Sequence, residues 1–170
     1  AWLTRDTNSP AAFKPVRVQV SVKRIRRDWT VMTDATGAFQ TVFTPLPTEA
    51  GLYELGADYP SRRLNPVQDA FTLLGLKANP DAVNLRVVPG DPLSGTVLLL
   101  NLGSVPLTGL VASVPDLPAE LEMAFALTNR LEGDAVAALT YTVMTSGTNA
   151  AKLDFQIRVA SAEGVYTDVP

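Results

Sequence analysis

At 170 residues and 46% apolar content, the chain is long enough to bury one large core or two small ones. It holds no cysteine, which excludes disulfide staples, thiol nucleophiles and thiolate metal sites, and no histidine, which removes the commonest general base and metal ligand. The net charge of −3 argues against a bulk polyanion such as nucleic acid, and no apolar run approaches the ~20 residues that span a bilayer as a helix.

Thirteen prolines and eleven glycines at short intervals favour many short strands over long helices. Charge is unevenly spread. Residues 1–66 carry nine Lys/Arg against six Asp/Glu, and residues 67–170 carry five against eleven. The asymmetry favours docking of the halves on one another or on different partners. Starting at Ala1 and not Met, the chain reads as a mature protein or a piece of a longer one.

In chain order, a first strand is expected around Trp2, followed by a turn at Asn8-Ser-Pro10. Val16, Val18, Val20 and Val22 alternate with Arg17, Gln19, Ser21 and Lys23, the pattern of one buried and one wet face. Lys23-Arg24-Ile-Arg26-Arg27-Asp28-Trp29 forms a basic hairpin end, and Thr30–Thr33 returns toward an Asp34-Ala-Thr-Gly37 turn. Ala38–Thr44 is predicted as a strand with Phe39 and Phe43 on one face, and Pro45, Pro47 and Gly51 break it. Leu52–Tyr59 alternates again, with Tyr53, Leu55, Ala57 and Tyr59 inward. The polar stretch Ser61–Pro66 reads as a short, restricted joint.

Beyond it, Phe71–Leu76 and Ala82–Val88 are predicted strands, separated from the next by the turn Pro89-Gly90-Asp-Pro92. Gly95–Leu102 is almost continuously apolar, which implies burial on both faces or a central position. Leu107–Val114 follows. Residues 118–131 satisfy both an alternating strand (Leu121, Met123, Phe125, Leu127) and a short helix. Ala135–Met144, Lys152–Ala160 and Val165–Val169 complete seven or eight strands in about one hundred residues, the size of an immunoglobulin-like sandwich. Two β-sandwich modules are therefore expected, 1–66 and 67–170, without an internal repeat.

The segments P-V-R-V-Q-V, T-D-A-T-G-A-F-Q-T-V-F-T-P and E-A-G-L-Y-E-L-G-A resemble bacterial Ig-like surface modules over residues 15–60. In that resemblance Gly51-Leu-Tyr53 is a tyrosine corner, and Leu55 stands where disulfide-bearing relatives place Cys. In the second half, V-V-P-G-D at 87–91, N-L-G at 101–103, P-L-T-G-L at 106–110 and L-E-G-D before L-T-Y-T-V resemble Ig-like accessory domains of the NEW3 and CARDB kind. The resemblance implies an all-β fold of two tandem immunoglobulin-like sandwiches and a secreted or cell-surface bacterial setting. It transfers no catalytic residue.

Lys23, Arg24, Arg26 and Arg27 with Trp29 form the sharpest candidate site. Arginine forks suit sulfate or carboxylate groups, and Trp29 offers a stacking surface. The plain alternative is a solvated hairpin whose charges deter edge-to-edge pairing. Arg62-Arg63 is expected to salt-bridge acidic residues of the second half. Trp2, Trp29, Tyr53, Tyr59 and Tyr166 would make a sugar platform if exposed, although the alternation assigns Tyr53 and Tyr59 to a core. Asp34, Asp91, Asp116 and Asp134 lack D-x-D-x-D spacing and read as turn caps rather than calcium ligands. Glu120 and Glu122 read as a solvated face, and no S-x-x-K is present.

The expected function is non-catalytic, with no cofactor and no metal: a spacer or protein-interaction module pair. The expected partners are neighbouring domains of a parent protein and another surface protein or glycan, without nucleic acid or membrane insertion. The alternatives are a carbohydrate-binding accessory module of a secreted enzyme and a polyanion-binding adhesin domain. An exposed sheet edge leaves self-association open.

Overall fold

In the computed structural model, residues 10–61, 67–147 and 152–170 are described. The protein is all-β, with thirteen strands in antiparallel sheets and no helix among the described residues. None of these segments is therefore a helix long and apolar enough to cross a membrane. The chain divides into two compact units, Ala1–Leu73 and Leu74–Pro170.

The first unit is one four-stranded sheet of β1 (Pro15–Val22), β2 (Ile25–Met32), β3 (Gly51–Asp58) and β4 (Asp69–Leu73), in the order β2-β1-β3-β4. The alternation in β1 holds: Val16, Val18, Val20 and Val22 are all buried. Each contributes about 1.5–3 kcal/mol of apolar burial. Phe71 was expected to open the second module. Instead β4 pairs with β3, Phe71 opposite Tyr53, so Asp69–Leu73 completes the first sheet.

Ala38–Thr44 is not a strand. It has the right alternation but, beyond an isolated bridge at Ala38, no ladder among the described residues, and Pro45 and Pro47 interrupt any continuation. The segment 38–50 runs as irregular chain that brings Phe43 onto Val20, Val22 and Tyr53. Tyr59 also departs from expectation: β3 ends at Asp58, and Tyr59 is 42% exposed. The strand expected around Trp2 and the Arg62-Arg63 pair lie outside the described residues.

The second unit contains a four-stranded sheet, order β5-β6-β11-β9, made of β5 (Leu76–Asn79), β6 (Leu93–Asn101), β9 (Leu121–Ala126) and β11 (Val136–Thr145). A three-stranded sheet, order β13-β12-β8, joins β8 (Val111–Ser113), β12 (Ile157–Ala160) and β13 (Tyr166–Val169). A two-stranded ribbon pairs β7 (Leu107–Thr108) with β10 (Arg130–Leu131). Side chains from all three make one core, including Val97, Leu99 and Leu139, Val159 and Val169, and Leu107 and Leu131. This arrangement is compatible with a β-sandwich.

Residues 121–126 are strand, as the alternation allowed, because β9 pairs with the edge of β11. The apolar run in β6 is explained by its position between β5 and β11. It is not buried on both faces, since Leu98 is 41% exposed. Two predicted strands are shorter or missing. Ala82–Val88 keeps its alternating burial with only an isolated bridge, from Val88 to Asp91, and of Lys152–Ala160 only Ile157–Ala160 is paired.

Glycine is required where backbones or rings cross closely. A Cβ on Gly133 would lie 2.3 Å from the Ser104 carbonyl oxygen, and one on Gly95 would lie 2.2 Å from the Tyr141 hydroxyl. Tyr141 stands directly opposite Gly95 and covers it.

Candidate functional site

The register of β1 and β2 pairs Val22 with Ile25, which leaves Lys23 and Arg24 as a two-residue turn. Both have positive φ, 46° and 70°. A two-residue hairpin with two positive-φ residues is a type I′ turn, where Asn-Gly is the relaxed choice. Lys-Arg costs backbone strain there and places two cationic side chains at an exposed tip.

Beyond the turn, the period of two separates the rest of the cluster. Arg26 lies on the outer face opposite Ser21, 3.8 Å from the Asp28 carboxylate. Ser21 donates to Glu54 at 3.4 Å, so a second carboxylate lies on the same face. Arg27 and Trp29 turn inward. Arg27 donates to Glu49, and its guanidinium lies 4.8 Å from the centre of the Phe43 ring. Trp29 stacks on Phe43 at 6.2 Å and donates its indole N–H to Thr41 at 2.9 Å. Of the five residues grouped by sequence, Lys23, Arg24 and Arg26 remain accessible as cations, while Arg27 and Trp29 hold the segment 38–50.

Glu49 organises this inner side and drew no attention in sequence. Its Oε2 accepts from Arg27, from the Leu46 N–H at 2.9 Å and from the Tyr53 hydroxyl at 3.3 Å. The Leu46 N–H, followed by Arg27, holds the carboxyl below its ordinary range. Burial pushes the Tyr53 phenol up, and the Glu49 charge adds to it. The Tyr53 hydroxyl thus reaches the incoming chain through a carboxylate four residues upstream. No local pattern marks Glu49, because its partners come from the turn before it, from Arg27 on the preceding strand 22 positions away and from the strand after it.

The expected aromatic platform does not assemble. Tyr53 is fully buried between Phe43 and Phe71, the latter parallel at 4.9 Å. Tyr166 is exposed, but Arg158 covers its ring at 4.6 Å and is itself held in two hydrogen bonds to Asp168, each 2.8 Å. Trp2 lies outside the described residues.

Of the four turn acids, Asp34 caps its turn. Asp34 accepts from the Thr36 hydroxyl and N–H, both at 2.7 Å, and from the Ala38 N–H at 3.0 Å, which lowers its pKa. No group of three or more acidic side chains that could hold a metal occurs among the described residues. Glu163 accepts from the Thr108 hydroxyl at 2.6 Å and the Thr108 N–H at 3.1 Å, and these bonds bring its pKa down to about 2. Glu122 is exposed on β9, and the Glu120 carbonyl accepts from the Ser146 N–H at 2.9 Å.

In the second unit the two fragments N-L-G and L-E-G-D meet. The Asn101 amide, 3% exposed, donates to the carbonyls of Val105 (2.8 Å), Glu132 (3.1 Å) and Leu131 (3.2 Å) and accepts from the Gly103 N–H at 3.0 Å. Asp134 N–H donates to the Gly103 carbonyl at 2.8 Å.

No protein-family model and no curated protein sequence matches the chain. Two solved structures are similar in outline. A protein of unknown function from Porphyromonas gingivalis W83 is 10% identical, with a TM-score of 0.41 over 95% of this chain and 86% of that one. The VesB protease of Vibrio cholerae is 13% identical, with a TM-score of 0.37 over 95% of this chain and 63% of that one. Likenesses of this size carry no inference about activity.

Proposed function

We propose that the chain is a non-catalytic pair of immunoglobulin-like modules that acts as a spacer or protein-interaction surface of a larger secreted or cell-surface bacterial protein. The observation that carries this reading is the strand order of the second unit. Taking its principal strands in chain order as A to G, with β7 and β8 together as C and the β10 ribbon strand outside the count, β5-β6-β11-β9 is A-B-E-D, and β13-β12-β8 is G-F-C. That order matches the constant-type immunoglobulin arrangement and supports the reading. The use of its charged groups supports the same reading. Asp34, Glu49 and Glu163 are low-pKa acceptors that tie loops, a poor state for a general acid near neutral pH.

Replacing the pair in its parent protein by an unrelated tandem β-sandwich of equal length tests the spacer role. Retained surface display and adhesion is the expected result, and loss of adhesion with intact display overturns a purely mechanical role.

A second reading rests on the strained Lys23-Arg24 tip: contact with an anionic glycan. A glycan array at low and high salt tests it, with Lys23→Asn/Arg24→Gly as the comparison. Salt-sensitive retention lost in the double variant supports it, and equal retention sinks it.

A further inference from the structure

The two edges of the first unit's sheet are built differently. β2 carries Arg26, Arg27 and Asp28 and begins at the Lys23-Arg24 turn, the kind of charge that blocks strand addition. β4 reads D-A-F-T-L, with no Lys, Arg, Pro or Gly and a single charge at its first residue. Asp69, Ala70, Phe71 and Thr72 are all exposed, and no strand pairs with the outer side of β4 among the described residues. Phe71 is 40% exposed although one face of its ring lies on Tyr53.

We propose that β4 pairs antiparallel with β4 of a second copy of this chain about a two-fold axis, joining two four-stranded sheets into one of eight. The strand is self-complementary in that register. Centred on Phe71, it sets Asp69 opposite the partner subunit's Leu73 and Ala70 opposite the partner subunit's Thr72, so the two Asp69 carboxylates never face each other. Phe71 meets the partner subunit's Phe71, and the stacked Tyr53–Phe71 pair becomes one half of a four-ring row across the axis. Two-fold closure uses the same edge on both copies, so assembly stops at the dimer.

Five residues per copy bury little against the ~1,200–2,000 Å² of a stable interface, so the dimer is weak and concentration-dependent. Asp69 sets a further limit. Its carboxylate takes the Ala70 N–H at 2.8 Å, a bond on the pairing strand itself.

Sedimentation velocity of the purified chain, from low micromolar to near-millimolar concentration, tests the proposal. The expected result is a shift from one chain mass to two. Phe71→Lys and Thr72→Pro each stay at one mass throughout, Arg26→Ala on the opposite edge behaves as wild type, and Asp69→Ala dimerises at lower concentration. Circular dichroism checks that each variant is folded, and Phe71→Lys carries the test if Thr72→Pro is not. A wild-type chain that remains monomeric at the highest concentration overturns the proposal. So does a dimer that survives Phe71→Lys.

Discussion

In the second unit an antiparallel sheet is covered by further paired strands; in the first, a sheet of equal strand number is covered by irregular chain. The second unit can therefore satisfy its backbone through ladders and fill its core with branched aliphatic side chains such as Val97, Leu99, Leu139 and Val159. Segment 38–50 of the first unit has no ladder to hold it. It depends on one aromatic insertion, Phe43 between Trp29 and Tyr53, and one carboxylate, Glu49, that gathers three donors. Paired cover distributes its stability over many small terms. Irregular cover concentrates it in a few side chains, and those are the side chains a mutation would find.

The sharpest way to break the comparison is Tyr53→Ala. It removes a fully buried ring that touches Phe43 and Phe71 and loses the Glu49 hydrogen bond, with an expected cost of about 3–5 kcal/mol in the first unit. Trp29 stacks on Phe43 inside this unit, so in a Trp2→Phe background its fluorescence during urea unfolding reports the first unit. A second-unit transition, followed by far-UV circular dichroism, that moves equally would contradict the separation.

Asn101→Ala is the counterpart in the second unit. It takes the amide donor from the carbonyls of Val105, Leu131 and Glu132, the last of which keeps the Ala135 N–H, and the acceptor from the Gly103 N–H, for an expected loss of about 3 kcal/mol. Here the tryptophan signal should not move.

A smaller effect of opposite sign is expected at the hairpin tip. Lys23→Asn with Arg24→Gly relieves two positive-φ residues and should stabilise the first unit by about 1–2 kcal/mol. Unchanged or lower stability would mean that the cationic side chains themselves hold the turn.

The smallest expected effect is in the acid limb. Glu163 is held near pKa 2 against an ordinary 4.5. A carboxylate with a depressed folded pKa contributes stability that is present above its unfolded pKa and lost as pH falls through the folded one. For Glu163 that window runs from about pH 4.5 down to about pH 2. Glu163→Gln should flatten the second unit's stability across that range and leave the first unit's pH dependence alone. Glu49→Gln should do the reverse, since the Leu46 N–H and Arg27 lower Glu49 in the first unit. Parallel changes in both units would show that the acid limb belongs to overall charge and not to these two loops.

Alternation alone located β1, β3 and β11 to within a residue or two, because a sheet with one buried face repeats every two residues and the valines of β1 and the Leu139-Tyr141-Val143 series obey that period, whereas residues 118–131 fitted strand and helix alike until β9 paired with β11. Turn chemistry did the same for Asp34–Gly37 and Pro89–Gly90, where capping and positive φ are local properties. The same local rule failed at Ala38–Thr44 and at Lys152–Gln156. Alternation states which side of the chain is apolar, and a strand also needs a continuous ladder of neighbours, which those residues lack among the described residues beyond the isolated bridge at Ala38. The basic cluster divides for a related reason. Adjacent residues of a strand face opposite ways, so Arg26 and Arg27 were never one patch, and only the register against β1 and the position of Glu49 decide which of them meets solvent. Composition by itself removed thiol and imidazole chemistry from the chain. The placement of β4 in the first sheet, the gathering role of Glu49 and the meeting of N-L-G with L-E-G-D around Asn101 join residues up to 31 positions apart, as in the Asn101–Glu132 bond. Only tertiary structure brings such residues together, because a contact across that much chain leaves no period in the sequence.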